Sequence, residues 1–415
     1  MPQKKILIVA ESINVEDSSG SKANVALIRH LQKAGFQLLV LHYTRKKIEL
    51  QGVHCVAIKE NKLGSNYFLS RLQRKMQHWF AINLAKYLEP EFGFSFTFFN
   101  DVNSICKSLE KHRNFKPDLV LTLSKGASFR PHYALLKTKS LHRKWMAYIH
   151  DPYPFHYYPE PYNWSEPGYK KKIDFFEALS KSCRWAAFPS LLLAEWMQDK
   201  FPDFKNKTSI LPHQLNETQD FLAEVPGFFD SEKFTVLHAG NLMKQRPPFY
   251  LINAFQQFLN DVPQAKSQAQ LLLIGNASYH RERLEKIGRG SKNIIIRGYL
   301  DYRQTQKLQK EVSVNVILES KAEISPFLPG KFPHCIAAER MILLLGPAKS
   351  ESRRLLGEDY KYCCETDDEN QIADLLKKLH KTWLESRRSL RLQRKDLKYY
   401  LSEKYLKKQL DQLLK

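Results

Sequence analysis

Short apolar runs separated by helical patterns recur along the whole chain. In the first half they predict strands at Lys4–Glu11, Phe36–Tyr43, Val53–Ile58, Pro117–Ser124, Trp145–Asp151 and Ala186–Ser190. In the second half they predict strands at Phe234–Gly240, Ala269–Gly275, Asn293–Tyr299, Val312–Glu319, Met341–Gly346 and Tyr360–Cys364. Near-continuous apolar strands that alternate with helices are typical of parallel sheets covered on both faces. The pattern therefore predicts an α/β protein with two doubly wound, Rossmann-like parallel-sheet domains.

The same pattern sets the expected domain boundaries. A chain of 415 residues is too long for one ordinary core. We expect an N-terminal domain over 1–211, a linker rich in prolines, acids and amides at 212–233, and a C-terminal domain over 234–380. The tail at 381–415 carries eleven Lys or Arg residues against four acids, with Leu and Tyr at helical spacing. It predicts a long, solvated C-terminal helix packed on its apolar stripe.

Composition limits the setting of the protein. Hydrophobic residues make up 43% of the chain, which supports compact folding. The six cysteines show neither paired metal-ligand spacing nor a disulfide framework, which favours a reducing compartment. The N-terminus lacks the features of a signal peptide, and no apolar run is long enough to span a bilayer. We expect a cytoplasmic protein that can also sit on the inner face of a membrane.

The net charge of +22 calls for an anionic partner. Nucleic acid, anionic lipid headgroups and phosphorylated substrates all satisfy that requirement. One basic segment, Asn66–Leu88, has a helical pattern that combines Leu, Met, Trp and Phe with four Lys or Arg residues. Such a helix can lie in a membrane interface. Alternatively, it is an ordinary surface helix whose apolar stripe meets the core.

Loops after the strands are the places to look for ligands, because parallel sheets bind ligands beyond the carboxyl ends of their strands. The loop after the first strand contains Gly20, Ser21 and Lys22, where small residues and free amides suit a phosphate or a sugar. A flexible loop with a helix cap explains it nearly as well. The loop at 150–164 begins with His150 and Asp151 and continues through prolines and aromatics, including Tyr153. It is either a sugar-facing loop with a proton acceptor or a rigid loop packed by its own rings.

Two loops in the second half are suited to anions. A strand ends at Gly240, and Lys244 and Arg246 follow just before a helix. Glycine allows backbone amides to approach phosphate oxygens, while cations and a helix N-terminus supply positive potential. A second loop, Ser325–Ala338, leads through small and constrained residues and Lys331 into another helix. Two such loops in one domain predict a nucleoside diphosphate site.

Several motifs are missing from the sequence. It has no Gly-x-x-x-x-Gly-Lys-Ser/Thr loop, no Gly-x-Gly-x-x-Gly after the first strand, no Gly-x-Ser-x-Gly and no His-Glu-x-x-His. It also has no Asp-x-Asp pair. If the reaction is sugar transfer, we therefore expect it to need no metal ion.

At these residues the chain resembles the GT-B glycosyltransferases, and glycosyltransferase family 4 in particular. The likeness spans nearly the whole length and is most specific between 234 and 365. In that family a Gly-Arg/Asn-Leu strand end is followed, six residues after the glycine, by a cation, which is Arg246 here. The stretch Ser325–Ala338 is similar to the segment that holds the nucleotide ribose and diphosphate, and His150 with Asp151 resembles the strand end that lines the acceptor cleft.

The resemblance implies two domains facing a cleft, a UDP- or GDP-sugar donor, a saccharide or lipid-linked acceptor, anomeric retention and no metal or other cofactor. It implies catalytic roles for His150, Asp151 and Arg246. The implied donor-binding residues are Gly240, Asn241, Lys244, Arg246, Gly275, Ser325, Pro326, Phe327, Lys331 and His334. The implied acceptor-side residues are Gly20, Ser21, Lys22 and Tyr153.

The sequence departs from the family at two places. His334 stands where a glutamate commonly holds the ribose hydroxyls, and Glu339-Arg340-Met341 replaces a later Gly-x-Pro. Glu311 and Glu319 match the family's Glu-x7-Glu spacing but bracket a strand, so we interpret the match as accidental. The departures keep open a binding protein that has lost the chemistry. No nucleic-acid partner is expected, because the chain shows no recognition module.

Overall fold

The computed structural model describes residues 3–80, 84–154, 166–215, 224–385 and 390–415. These residues form two compact units. The first contains the described residues from 3 to 214 and from 400 to 415, and the second those from 215 to 399. Each unit is built around a parallel sheet with helices between its strands. The predicted fold class, an α/β protein with two doubly wound parallel sheets, is confirmed.

The first unit contains a seven-stranded sheet in the order β3-β2-β1-β4-β5-β6-β7, with every neighbouring pair parallel. Its strands are β1 Lys5–Ala10, β2 Gln37–His42, β3 His54–Ala57, β4 Leu119–Leu123, β5 Trp145–Tyr148, β6 Trp185–Phe188 and β7 Thr208–Ile210. Its helices are α1 Ser19–Lys33, α2 Ser65–Phe80, α3 Ala85–Phe92, α4 Phe96–Lys111, α5 Arg130–Lys137, α6 Tyr169–Ser182 and α7 Leu191–Lys200.

The central strand β1 shows why its sequence is almost entirely apolar. Leu7 and Val9 pack into one hydrophobic cluster, and Ile6 and Ile8 pack into another. Successive side chains of a strand point to opposite faces of the sheet, so both faces of β1 are covered. A strand buried on both faces has no position that favours a polar residue, which accounts for the continuous apolar run.

The second unit has a six-stranded parallel sheet in the order β10-β9-β8-β11-β13-β15, and β12 pairs with β14 separately. The strands are β8 Phe234–Ala239, β9 Ala269–Ile274, β10 Ile294–Arg297, β11 Val314–Leu318, β12 Ile324–Ser325, β13 Met341–Leu345, β14 Lys349–Ser350 and β15 Cys363–Cys364. The helices are α8 Phe249–Asp261, α9 Ala265–Gln268, α10 Arg281–Gly290, α11 Tyr302–Glu311, α12 Phe332–Ala338, α13 Glu351–Leu356, α14 Glu369–Glu385 and α15 Lys395–Tyr400.

Every strand predicted from the sequence overlaps an observed one. The unpredicted strands β7, β12 and β14 are only two or three residues long. Segments this short carry too few positions for a periodic pattern, so their pairing partners in the folded chain define them.

The C-terminal tail differs from its prediction. It was expected to form one long helix, but α14 ends at Glu385, and α15 and a further helix, α16 at Glu403–Leu413, follow. Ser402 begins α16 by accepting a hydrogen bond from the backbone N–H of Tyr405 at 3.5 Å. The apolar stripe of α16 is buried, because Leu406 and Leu410 pack into the core of the first unit.

Candidate functional site

Two glycines join the loops after β8 and β9 in the second unit. The N–H of Gly240 donates to the carbonyl of Ile274 at 2.8 Å, and Gly275 follows directly. A Cβ atom on Gly275 would lie 2.3 Å from the carbonyl oxygen of Gly240, and the φ angle of Gly275 is +134°. Only glycine allows these two backbones to approach so closely. The sequence-predicted residues Gly240 and Gly275 therefore shape one loop pair at the carboxyl edge of the sheet.

Lys331 reaches this loop pair from the segment that precedes α12. A Cβ atom on Gly240 would lie 2.9 Å from the Nζ atom of Lys331, so the glycine leaves the room that the ammonium occupies. Lys331 Nζ also lies 3.3 Å from each ring nitrogen of His238, a buried residue of β8. The structure thus brings together the two anion-suited loops that the sequence predicted separately, at Gly240 and Lys331.

His238 is a site residue that the sequence interpretation missed. Burial, followed by the charges of Lys331 and Arg246, lowers the pKa of His238 well below its usual value. The imidazole is therefore neutral, and a neutral ring can accept a hydrogen bond from the Lys331 ammonium. The available signal was a histidine inside an otherwise apolar strand, two residues before its terminal glycine.

The positive charge of Lys331 is destabilised by its surroundings. Burial, with a further contribution from the charge of Arg246, lowers the pKa of Lys331 to about 7. The nearby Cys335 and Glu319 act in the opposite direction but do not cancel the effect. A half-buried ammonium that is repelled by a nearby guanidinium favours the binding of an anion. The anion would offset both the cost of burying the positive charge and the repulsion between the two cations.

Arg246 is anchored at the turn that leads into α8. Its backbone N–H donates to the carbonyl of Met243 at 2.9 Å, and its Nη2 donates to the Met243 sulfur at 3.0 Å. The guanidinium interacts electrostatically with Lys331, His238 and Glu319. Lys244, which was expected to act beside Arg246, is exposed. Asn241 is also exposed, and its side-chain oxygen accepts from the backbone N–H of Asn276 at 3.4 Å.

Glu319 is the acid of this cluster, and the sequence interpretation set it aside. It follows β11, is buried, and accepts a hydrogen bond from the Ser352 hydroxyl at 2.6 Å. Burial raises its pKa to about 7, although Ser352, Ser325, Ser350 and Arg246 favour the charged form. Glu311, its partner in the Glu-x7-Glu spacing, lies on α11 and pairs with Lys307 at 3.0 Å. Only one of the two glutamates belongs to the cluster.

The remaining residues of Ser325–Ala338 are divided between two surroundings. Ser325 lies in β12, and Pro326 and Phe327 follow it as buried and half-buried residues. His334 turns to α11, where its Nε2 lies 3.3 Å from the Tyr302 hydroxyl and its Nδ1 lies 3.3 Å from Gln306 Nε2. These contacts hold His334, a predicted donor-binding residue, against α11.

In the first unit, the loop with Gly20, Ser21 and Lys22 forms the start of α1. Ser18 caps the helix by accepting from the backbone N–H of Ser21 at 3.1 Å, and Ser21 is fully buried. A Cβ atom on Gly20 would lie 3.3 Å from the backbone nitrogen of Gly126. Lys22 is half-buried. The capping alternative therefore explains Ser21 directly.

His150 is held at the end of β5 by Asn24 of α1. Its Nε2 lies 3.0 Å from the Asn24 side-chain oxygen, while Asn24 Nδ2 donates to the carbonyls of Ser12 and Ser124. Burial, and then the neighbouring His213 and His132, lower the pKa of His150 well below its usual value. His150 is a neutral ring in a fixed orientation, suited to bonding a hydroxyl.

Its predicted neighbours lie in different surroundings. Asp151 is half-buried. Tyr153 is only 2% exposed and packs against Phe129 and Phe176, with ring centroids 4.8 and 4.9 Å apart. The prediction that Tyr153 faces an acceptor is wrong, because its ring is part of the core. The rest of that predicted loop, 155–164, lies outside the described residues.

A second group that the sequence interpretation missed is a buried charge network near the carboxyl ends of β1 and β4. Arg130 Nη1 donates to Glu11 Oε1 at 2.7 Å, and Arg130 Nε lies 2.9 Å from Asp101 Oδ2. Asp101 also accepts from the Tyr43 hydroxyl at 2.8 Å and from Arg45 at 3.1 Å. The available signal was Glu11, an acid directly after an apolar strand.

The two parallel-sheet units are those of the GT-B glycosyltransferase fold. Solved structures that match include the trehalose-6-phosphate synthase OtsA, with a TM-score of 0.67, 11% identity and 99% of each chain covered. A trehalose-6-phosphate structure from E. coli bound with UDP-2-fluoro glucose matches with a TM-score of 0.66, 12% identity and 99% of each chain covered. WaaG, a glycosyltransferase involved in lipopolysaccharide biosynthesis, matches with a TM-score of 0.61 and 11% identity, covering 97% of this chain and 98% of its own. No protein-family model and no curated protein matches the sequence. At these identities the likeness establishes the fold.

Proposed function

We propose that this protein is a glycosyltransferase that moves a sugar from a UDP- or GDP-sugar to a saccharide or lipid-linked saccharide acceptor. We assign donor binding to the C-terminal domain at 234–380 and acceptor binding to the N-terminal domain at 1–211, with 212–233 as the linker and 381–415 as a basic tail. The sugar is transferred with retention of its anomeric configuration, and the charge on the leaving group is met by side chains rather than by a metal ion.

One observation carries the proposal: Lys331 Nζ lies against Gly240 and is close enough to Arg246 for the arginine charge to lower its pKa. The site offers two cations and a glycine-lined approach at the carboxyl edge of a parallel sheet, where a diphosphate is expected to bind. The fold is also that of a structure bound with UDP-2-fluoro glucose.

The proposed chemistry follows from these charges. The bond between the anomeric carbon and the diphosphate oxygen breaks, and negative charge develops on the departing diphosphate. Lys331 and Arg246 stabilise that charge, and they do so strongly because the site is partly shielded from water. The acceptor oxygen bonds to the anomeric carbon, and its proton passes to the departing diphosphate oxygen.

The remaining predicted residues take positioning roles in the proposal. Gly240 and Gly275 shape the donor loop, while Asn241, Lys244 and the segment 325–327 border it. On the acceptor side, His150, held by Asn24, hydrogen-bonds a sugar hydroxyl. We assign Asp151 and Lys22 to the same side. Because the pKa of His150 is far below neutrality, it orients a hydroxyl as a neutral ring.

The proposal is tested in two stages. Thermal unfolding is first measured with UDP, GDP, ADP and their sugar conjugates, because a ligand that binds only the folded state raises its stability. Release of nucleoside diphosphate is then measured with the stabilising donor and saccharide acceptors. Arg246→Ala is expected to remove most turnover, whereas the matched variant Arg289→Ala, at an exposed position of α10, is expected to keep it. Near-normal kcat/KM in Arg246→Ala would contradict the assignment.

His334 favours a second candidate, a binding protein that kept the fold and lost the reaction. The residue at the position of the family's ribose-binding glutamate is tied to Tyr302 and Gln306. Stabilisation by a nucleotide without any hydrolysis or transfer would support this second candidate. Turnover of the donor would exclude it.

A further inference from the structure

Helix α2 of the first unit presents large apolar side chains to solvent. Phe68 is 63% exposed, Leu72 is 57% exposed and Trp79 is 65% exposed. At 100° per residue these three positions fall within about 40° of one another around the helix axis. They form one face, which we call the α2 apolar face. Isolated exposed apolar residues are common, but an aligned set on one helix marks an interaction surface.

The opposite side of α2 carries the contact with the rest of the unit, and that side is polar. Ser70 and Gln73 are buried, and the helix packs on α4. The sequence left open whether the apolar stripe of this segment meets the core. Among the described side chains of α2, Leu72 and Trp79 point outwards, whereas Ser70 and Gln73 point inwards. The large apolar side chains Phe68, Leu72 and Trp79 of α2 are therefore left facing solvent, whereas an ordinary surface helix turns such side chains to the core.

Cations border the α2 apolar face. Arg71 and Lys75, which lie next to this face around the helix axis, are exposed, and α2 contains no acidic residue. The ammonium of Lys75 lies 5.4 Å from the centre of the Trp79 ring. Trp with Lys or Arg next to an apolar surface is the composition of helices that lie in the headgroup region of a bilayer.

We propose that the α2 apolar face docks onto an anionic phospholipid bilayer. Phe68, Leu72 and Trp79 enter the boundary between headgroups and acyl chains, while the flanking cations contact lipid phosphates. A second copy of the chain is a poorer partner, because a twofold contact through this face would bring Arg71 and Lys75 close to their own equivalents. The docking is peripheral: within the part of the chain that the structure describes, no helix is both long enough and apolar enough to cross a membrane.

Vesicle sedimentation tests the proposal with the full-length protein and needs no sugar donor, so its outcome is independent of the proposed enzymatic activity. The protein is mixed with vesicles of pure phosphatidylcholine, or of phosphatidylcholine and phosphatidylglycerol in equal parts, at low salt. We expect binding to the anionic vesicles only. The variant F68S/L72S/W79S is expected to bind them at least about tenfold more weakly. The variant R71E/K75E is expected to weaken binding to the same extent.

Matched controls separate this surface from overall charge and hydrophobicity. Leu384→Ser replaces an exposed apolar residue on α14, and K266E/K292E reverses two exposed charges in the second unit. Both controls are expected to bind like the wild type, and circular dichroism establishes that every variant is folded. Three outcomes overturn the proposal: no binding by the wild type, equal binding to neutral vesicles, or unchanged binding by the triple variant. Sedimentation velocity without lipid tests whether a second copy of the chain covers this face instead. A wild-type dimer that the triple variant abolishes would assign the face to that second copy and overturn the proposal.

Discussion

The ammonium of Lys331 lies 3.3 Å from both ring nitrogens of His238, and it occupies the space that a side chain on Gly240 would fill. The histidine is buried within β8, whereas the lysine comes from the loop before α12. This contact joins the ends of two different strand-loop segments into a single site. It also places a cation with a lowered pKa where an anion is expected to bind.

Removal of the Lys331 ammonium is expected to reduce sugar transfer strongly. Lys331→Ala should lower kcat/KM by about 10²–10³-fold, the usual effect of deleting one charged group that stabilises a leaving group. The exposed Lys292 serves as the matched control, because solvent screens its charge and the proposal gives it no part in donor binding. Lys292→Ala should change kcat/KM by less than about threefold. Both constants come from initial rates of nucleoside diphosphate release. Equal losses in the two variants would show that Lys331 has no special role.

The affinity for a nucleotide sugar is expected to fall as the pH rises through about 7. The ammonium form of Lys331 binds the diphosphate, and its pKa of about 7 in the free protein means that this form is lost above neutrality. The bound anion favours the ammonium and raises that pKa, so binding takes up a proton, and Kd weakens by up to about tenfold per pH unit. Titration calorimetry at about pH 8 in two buffers with different ionisation enthalpies measures the uptake.

The groups that face Lys331 decide the controls for this pH dependence. His238 is neutral throughout the range, and burial raises the pKa of the Cys335 thiol to about 12. Glu319, with a pKa raised to about 7, ionises in the same range and acts in the same direction, since its carboxylate repels the diphosphate. Lys331→Arg should flatten most of the pH dependence, because a guanidinium keeps its charge. If Glu319→Gln flattens it instead, the titrating group is the glutamate.

The architecture could be predicted from the sequence because buried parallel strands are continuous apolar runs that are easily recognised. Runs such as Ile6–Val9 are apolar at every position, since both faces of the strand are covered. Gly240 and Lys331 could be predicted for a similar reason: the demands of close backbone approach and of anion binding limit the residue types that fit. Tyr153 could not be placed, because an aromatic residue in a loop suits a ligand surface and a core equally well.

Contacts between distant segments set the rest of the site. His238 and Lys331 are 93 residues apart, and no local pattern indicates that one meets the other. Glu319 appeared to bracket a strand, and its role depends on Ser352, which follows β14. Which face of α2 meets the core could not be predicted either, since an amphipathic pattern has the same period whichever face is buried.

Gly275→Ala is expected to destabilise the second unit and disturb the loop at Gly240. The new Cβ would lie 2.3 Å from the Gly240 carbonyl oxygen, and backbone cannot move as a flexible side chain can. The φ angle of +134° adds strain for any other residue. A loss of about 2 kcal/mol or more in the free energy of unfolding is expected from urea titration. Gly290→Ala, which meets no atom within 4 Å, is the control and should be neutral or slightly stabilising. Equal effects of the two substitutions would contradict the close approach.

Arg130→Met is expected to destabilise the first unit strongly. It leaves the buried carboxylates of Glu11 and Asp101 without the guanidinium that lies 2.7 and 2.9 Å from them. An uncompensated buried charge typically costs about 3–5 kcal/mol, so the urea midpoint should fall sharply. Adding Glu11→Gln to the variant should recover part of the loss, because Glu11 loses its ion pair with Arg130 whereas Asp101 keeps its contact with Arg45. Lys47→Met breaks an ion pair of similar length with Glu49 at the exposed surface and should leave the midpoint unchanged. A double variant no more stable than Arg130→Met would mean that the loss arises from packing of the arginine side chain rather than from its charge.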